Sequence, residues 1–223
     1  MSRLAAVVTL LALAFAAVAE ARTFNGTSRS DRQVGTARAD KLFGRGGNDS
    51  MFARAGNDRL SGGAGKDRMF GSAGNDKLVG GSGADRLVGG TGNDSITGGS
   101  GSDRLVGVSG DDRLVDTAGN DRLNSGAGED FLSAGSGNDR LYGGSGTDDL
   151  FGGAGNDNLI GGPGEDDIEG GTGDDFINAR DDSEDTIDCG DGEDTVAVNE
   201  LEDGVFDCET VLLPENAPKD PAR

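Results

Sequence analysis

The sequence predicts an all-β solenoid, and three observations carry that reading. A nine-residue unit repeats from Leu42 to Ile177, with an Asp at Asp49, Asp58, Asp67, Asp76, Asp85, Asp94, Asp103, Asp112, Asp121, Asp130, Asp139, Asp148, Asp157, Asp166 and Asp175. A Gly stands two residues before every one of these, from Gly47 to Gly173. An aliphatic residue stands two residues after each, from Met51 and Leu60 to Ile168 and Ile177. A unit such as Gly89-Gly90-Thr91-Gly92-Asn93-Asp94-Ser95-Ile96-Thr97 reads as a tight turn and a short strand. Its glycines let the backbone take positive φ without a Cβ clash. The last three residues are expected to form the strand, with the middle side chain inward and its neighbours outward. No single unit can bury that one side chain, so the units must stack.

The turn residues point to a hard cation. A glycine turn leaves carbonyl oxygens on one side, and the Asp adds a carboxylate. Oxygen-only donors suit Ca²⁺, which accepts six to eight of them in flexible geometry. Other chemistry is excluded by composition. The chain has no His and only two Cys, so a His-based triad and a His-ligated zinc site are impossible. Carboxylates abound as a regular array with no unique pair, and no enzyme activity is expected. A formal charge of −21, with no aromatic platform, argues against nucleic acid as a partner.

The unit, GGxGxDxUx, resembles the RTX (haemolysin-type) calcium-binding repeat family. The resemblance implies a right-handed parallel β-roll in which nine residues make half a coil. Each turn then stacks on the turn eighteen residues away, with Ca²⁺ between stacked turns held by the motif Asp and turn carbonyls. On this reading all fifteen motif Asp are calcium ligands, pairing as Asp49 with Asp67 through Asp157 with Asp175. Fifteen Asp give thirteen such pairs, and thirteen Ca²⁺ would turn −21 into about +5. Without the cation the stacked carboxylates repel, and a Gly-rich acidic chain is expected to be disordered. The residue before the motif Asp is Asn at 57, 75 and 93 and then at 120, 138 and 156, so the Asn column changes side near Asp112.

The ends depart from the unit. Residues 1–21 read as a secretory signal peptide: Arg3, then an apolar run from Leu4 to Val18, with cleavage expected after Ala21. Secretion and an extracellular location follow, with no transmembrane segment in the mature chain. Residues 22–43 keep the rhythm as an N-terminal cap. Phe24, Gln33 and Leu42 fall on the inward column and Asp31 and Asp40 on the Asp column, but Arg29 and Arg38 replace the obligatory Gly. A long side chain is unfavourable at positive φ, so these turns are expected to bind calcium weakly or not at all. The regular roll spans 44–178. After it the register slips, since Asp175 to Asp185 is ten residues, and 179–213 read as a C-terminal cap. Both cysteines, Cys189 and Cys208, lie there. An even count in an exported chain favours a disulfide, the alternative being two buried thiols. Residues 214–223, with three of the four prolines, read as a disordered tail.

The biological role is less constrained. Many RTX proteins join such a roll to a catalytic or toxin domain, for which there is no room here. The first expectation is a secreted calcium-binding structural module of the cell envelope or extracellular matrix. The alternative is an adhesin that binds an extracellular polysaccharide or surface protein through an outward face. Arg59, Arg68, Lys77, Arg86, Arg104, Arg113, Arg122 and Arg140 follow motif Asp residues, as counter-charges or as a stripe for sulfated or phosphorylated glycans. An outward row of Phe52, Phe70, Val88, Val106, Tyr142 and Ile160 is a possible partner face. An ice-binding roll is remote, because only Thr91 and Thr172 occupy the outward turn place.

Overall fold

A computed structural model of the protein describes residues 20–199 and 204–213. The expected tail over 214–223, and the expected signal segment except Glu20 and Ala21, lie outside these residues. Among the described residues, twenty-two strands, from Thr23–Asn25 to Thr210–Leu212, alternate between two eleven-stranded sheets. Every pairing is parallel, and each strand pairs with the one a full coil away. Leu87 faces Leu105 and Leu105 faces Leu123, a register of eighteen residues. This is the parallel β-solenoid that the nine-residue period predicts. Among the described residues no helix is long and apolar enough to cross a membrane.

The strands are longer than expected. Most have six residues, such as Arg86–Thr91, and run on through the first three residues of the next unit. The Gly-Gly pair reads as turn because it has no side chains, but a parallel ladder needs only amides and carbonyls. Its second residue bends the strand without ending it: Gly90 has φ 130° and still lies in the ladder. Arg45, Arg54, Ser72 and Val108 hold this place at φ 78° to 112° without being glycine, a local strain. The turn proper is three residues, Gly92-Asn93-Asp94 in that coil.

The core is the predicted inward column. Leu42, Met51 and their successors through Ile177 are at most 2 % exposed, and Ile187 and Val196 continue the column. Each such side chain contributes about 1.5–3 kcal/mol on burial. Phe24 packs against this core, and Gln33 is buried and donates from Nε2 to the Phe43 carbonyl. A second column stitches the turns. The Asn57 side-chain oxygen accepts the Asn75 N–H at 3.1 Å, and Asn75 accepts that of Asn93. Asp111 accepts the Glu129 N–H where Asn stops on one face, and Asn120 and Asn138 serve the other face. Other side-chain oxygens can serve this place, and Lys66 and Ala84 leave it without one.

The slip after Ile177 is absorbed locally. Asp167 pairs with Thr186 and Phe176 with Thr195, a register of nineteen, and the sheets continue. A disulfide joins Cys189 to Cys208 with Cα atoms 5.2 Å apart. It ties the strand Thr186–Asp191 to the segment that follows its sheet neighbour, Gly204–Phe206.

Candidate metal centre

An ordinary turn has a fixed geometry, and Asp85 illustrates it. Its Oδ1 accepts the backbone N–H of Asp67, one coil back, at 2.8 Å. Its own N–H donates to Asp103 Oδ1, one coil ahead, at 2.7 Å. Its Oδ2 is buried and has no hydrogen-bond partner. That oxygen sits over Gly80, the first residue of the unit. A Cβ there would stand 2.5 Å from Asp85 Oδ2 and 2.6 Å from the Gly98 carbonyl oxygen of the next coil. Gly80 thus leaves space rather than a bend, since its φ is not positive, and the place is elsewhere taken by small residues such as Ala53, Ser125 and Ala134. The sequence reading assigned the glycines to backbone conformation alone and missed this role.

The same arrangement holds along the roll. All fifteen predicted Asp accept the N–H eighteen residues back on Oδ1, at 2.6 to 3.0 Å. All fifteen are at most 4 % exposed and have a buried Oδ2 without a hydrogen-bond partner. The two columns also extend beyond the fifteen. Asp31 and Asp40 precede them, and Asp185 and Asp194 follow at a spacing of nineteen. Asp194 in turn donates its N–H to Glu209 Oε2, which ends one column.

A buried carboxylate oxygen with no donor is costly unless something positive meets it. The electrostatics agree. Asp112, Asp157 and Asp166 are raised from 3.8 to about 7. Asp58, Asp85, Asp94, Asp121, Asp148 and Asp175 rise to about 6. Desolvation is the main cause; the N–H on Oδ1 opposes it, and neighbouring carboxylates add to it. A cation beside Oδ2 would reverse the shift. The donor set of carboxylate and carbonyl oxygens in each turn fits Ca²⁺ and contains no soft ligand.

The two N-terminal turns are built differently. Asp31 Oδ2 accepts the Thr27 N–H at 2.6 Å and the Thr27 hydroxyl at 2.9 Å. Asp40 Oδ2 accepts the Thr36 N–H at 2.5 Å and the Thr36 hydroxyl at 2.9 Å. Arg29 and Arg38 do not adopt positive φ. The long side chain at that place excludes the array's turn, and the alternative turn brings Thr onto the carboxylate. Asp116 is the other departure. It stands where the unit has its first Gly, and its ligand atoms lie within 4.8 Å of those of Asp103 and Asp121. Burial, then the charge of Asp121, raises its carboxyl to about 8. The sequence shows Asp116 as a carboxylate in a glycine place; what it meets depends on the stacking.

A parallel β-solenoid with columns of buried, inward-turned carboxylates defines a class of cation-dependent repeat protein. The family model described as RTX calcium-binding nonapeptide repeat (4 copies) matches residues 25–60, 46–78, 79–114, 106–141, 142–177 and 160–196. The chain belongs to this calcium-binding family. A search of curated proteins finds no match.

Proposed function

We propose that this chain is a secreted module of the cell envelope or extracellular matrix whose fold depends on Ca²⁺. The fifteen motif Asp and the adjacent turn carbonyls bind the ions, while residues 22–43 and 179–213 act as caps. One observation carries the reading: column after column of buried Oδ2 atoms that no protein group meets. The chain emerges unfolded where calcium is scarce and folds after export, directed by the signal segment at its N-terminus. Circular dichroism during a calcium titration tests this. A β spectrum that develops in the millimolar range typical of extracellular sites is expected. A β spectrum unchanged by chelator would overturn it.

A second reading adds a polyanionic partner. Arg68, Arg86, Arg104, Arg122 and Arg140 stand in register on five neighbouring strands, all exposed. The motif carboxylates turn into the roll, and among the described residues no ion pair joins these arginines to a carboxylate. Like charges on strands about 4.8 Å apart repel, which favours an external anion with repeated charges. A groove of about 660 Å³ beside them is lined by Arg104, Arg122 and Arg140, with the proposed calcium ligands Asp103, Asp121 and Asp139 in its wall. A sulfated or phosphorylated polysaccharide has this chemistry. The calcium-loaded protein is expected to be retained on dextran sulfate and released by salt. Arg104→Glu with Arg122→Glu should abolish retention; unchanged retention would exclude this face.

A further inference from the structure

Asp116 places a third carboxylate in a corner that elsewhere holds two. At Gly62 and Gly80 the space over the Cα is shared by the turn's own Asp Oδ2 and a carbonyl oxygen of the next coil. Over Gly98 the next coil presents the Asp116 side chain, and Asp116 Oδ2 takes that place beside Asp103 Oδ2. A second carboxyl group thus stands where the other corners have a carbonyl oxygen.

Asp116 is also aimed. Its Oδ1 accepts the N–H groups of Gly99 and Thr117, both at 2.8 Å. Its Oδ2 has no hydrogen-bond partner, and the residue is 3 % exposed. The Oδ2 atoms of Asp103 and Asp121 are likewise buried and receive no backbone or hydroxyl donor, and Asp103 lies close enough to Asp116 for the two carboxyls to share a proton when no cation is bound. The backbone yields to this arrangement. The strand Arg113–Val115 stops after three residues, and Thr117 lacks the positive φ of its counterparts Gly99 and Gly135. Among the described residues, no other three carboxylates come this close together.

We propose that Asp103, Asp116 and Asp121 form a cation site distinct from the rest of the array, holding a hard cation more tightly and favouring a trivalent one. An ordinary shared site sets two carboxylates against one Ca²⁺. Here three carboxylates surround the corner. A divalent ion leaves one charge uncompensated, and a trivalent ion balances all three. Burial removes the water that would otherwise screen them. The inference rests on the calcium reading above and sharpens one of its sites.

The test is a Eu³⁺ titration of the full chain, followed by directly excited luminescence in competition with Ca²⁺. It compares the native protein with Asp116→Gly, which restores the residue of the repeat, and with Asp116→Asn. In the native protein one Eu³⁺ is expected to bind at least about tenfold more tightly than the others. In both variants that class should merge with the rest, while calcium still induces the full β spectrum. A tight ion that survives both substitutions would overturn the proposal, and so would a single class of sites in the native protein. If Ca²⁺ filled the array normally in such a result, only this inference would fail. If neither Ca²⁺ nor Eu³⁺ bound or folded any of the three proteins, the calcium reading would fall with it.

Discussion

The turn that ends at Asp40 and the turn that ends at Asp85 lie on opposite sides of the roll but share a place in the nine-residue unit, a carboxylate and an inward-facing neighbour. In both, Oδ1 accepts the N–H one coil back, from Arg22 and from Asp67. They part at the second oxygen. Asp40 Oδ2 receives the Thr36 N–H and hydroxyl, whereas Asp85 Oδ2 receives nothing from the protein. One carboxylate is fully met by the polypeptide, and the other keeps a buried oxygen that the proposed calcium ion would meet. The residues that decide between them are at the second and fourth places: Thr36 and Arg38 in one, Gly81 and Gly83 in the other. Metal dependence in this fold thus resides less in the Asp than in whether the backbone bends enough to deny it a donor.

The largest way to break the comparison is to remove the metal and vary the pH. Without a cation, nine of the fifteen array carboxylates rise to about 6 or about 7 in the folded state, against an ordinary 3.8, and burial raises the other six as well. The folded form then binds more protons than the unfolded form between those values. Its stability is greatest in acid and falls as pH rises through about 6 to 7. The calcium-free chain should therefore gain β structure on acidification to about pH 4.5 and lose it at neutrality. Calcium should reverse the trend, because protons compete with it for Oδ2. Circular dichroism against pH, with and without calcium, checks both curves. Calcium-free β content that rose with pH would contradict the assignment of Oδ2 as the unmet group.

Next in size are single carboxylate deletions. Asp85→Ala removes a ligand shared by two stacked turns and should cost about two ions. Asp40→Ala removes an oxygen already served by Thr36 and should change the stoichiometry little. Calorimetric titration decides. Equal losses would mean that the N-terminal turns are metal sites like the rest.

Much of this was legible in the sequence, and the misses share a cause. The period of nine displays the inward column at once, because Leu105 and its fellows must be apolar wherever the coil stacks. The Asp column shows for the same reason. What did not show is what a side chain meets once the turn is folded and the next coil is stacked on it, whether four, five or eighteen residues away. Gly80 looks like a turn residue, yet what it supplies is the room it leaves beside Gly98. Thr36 looks like an ordinary polar residue until the turn beside Arg38 folds back. Asp116 looks like one carboxylate among many until Gly98 and Asp103 are stacked against it. Strand length was missed because glycines pair through the backbone and leave no pattern of side chains.

The two ends also differ, and a smaller, local effect should expose it. The N-terminal turns are closed by Thr–Asp hydrogen bonds, while the last coils rely on the disulfide and on Glu209. An end unit has one neighbour, so it unravels first. Cys208→Ser should loosen the chain from about Asp185 onward by roughly 3 kcal/mol, the chain-entropy value for a loop of this size. Hydrogen exchange should show protection lost there and retained from Leu42 to Ile177. Loss across the whole roll would mean that the disulfide holds more than its own end.

The smallest expected effect is the most direct test, because it adds one ion instead of removing several. The turn Gly35-Thr36-Ala37-Arg38-Ala39-Asp40 differs from the array pattern at two places only. Thr36→Gly removes the hydroxyl on Asp40 Oδ2, and Arg38→Gly permits the positive φ that Gly83 and Gly101 adopt at the same place. Together they should turn the carboxylate's second oxygen into an unmet acceptor facing the Asp58 turn, which already stacks on it through the Asp40 N–H. One more calcium ion per chain is expected by native mass spectrometry. Thr36→Gly alone should bind no extra ion, since Arg38 still holds the turn in its other form, and should only lower stability by about 1–2 kcal/mol for the lost hydrogen bond and the added glycine freedom. An extra ion in the single variant would assign the exclusion to Thr36 alone. Unchanged stoichiometry in the double variant would mean that neither the hydroxyl nor the backbone bend keeps calcium out of this turn.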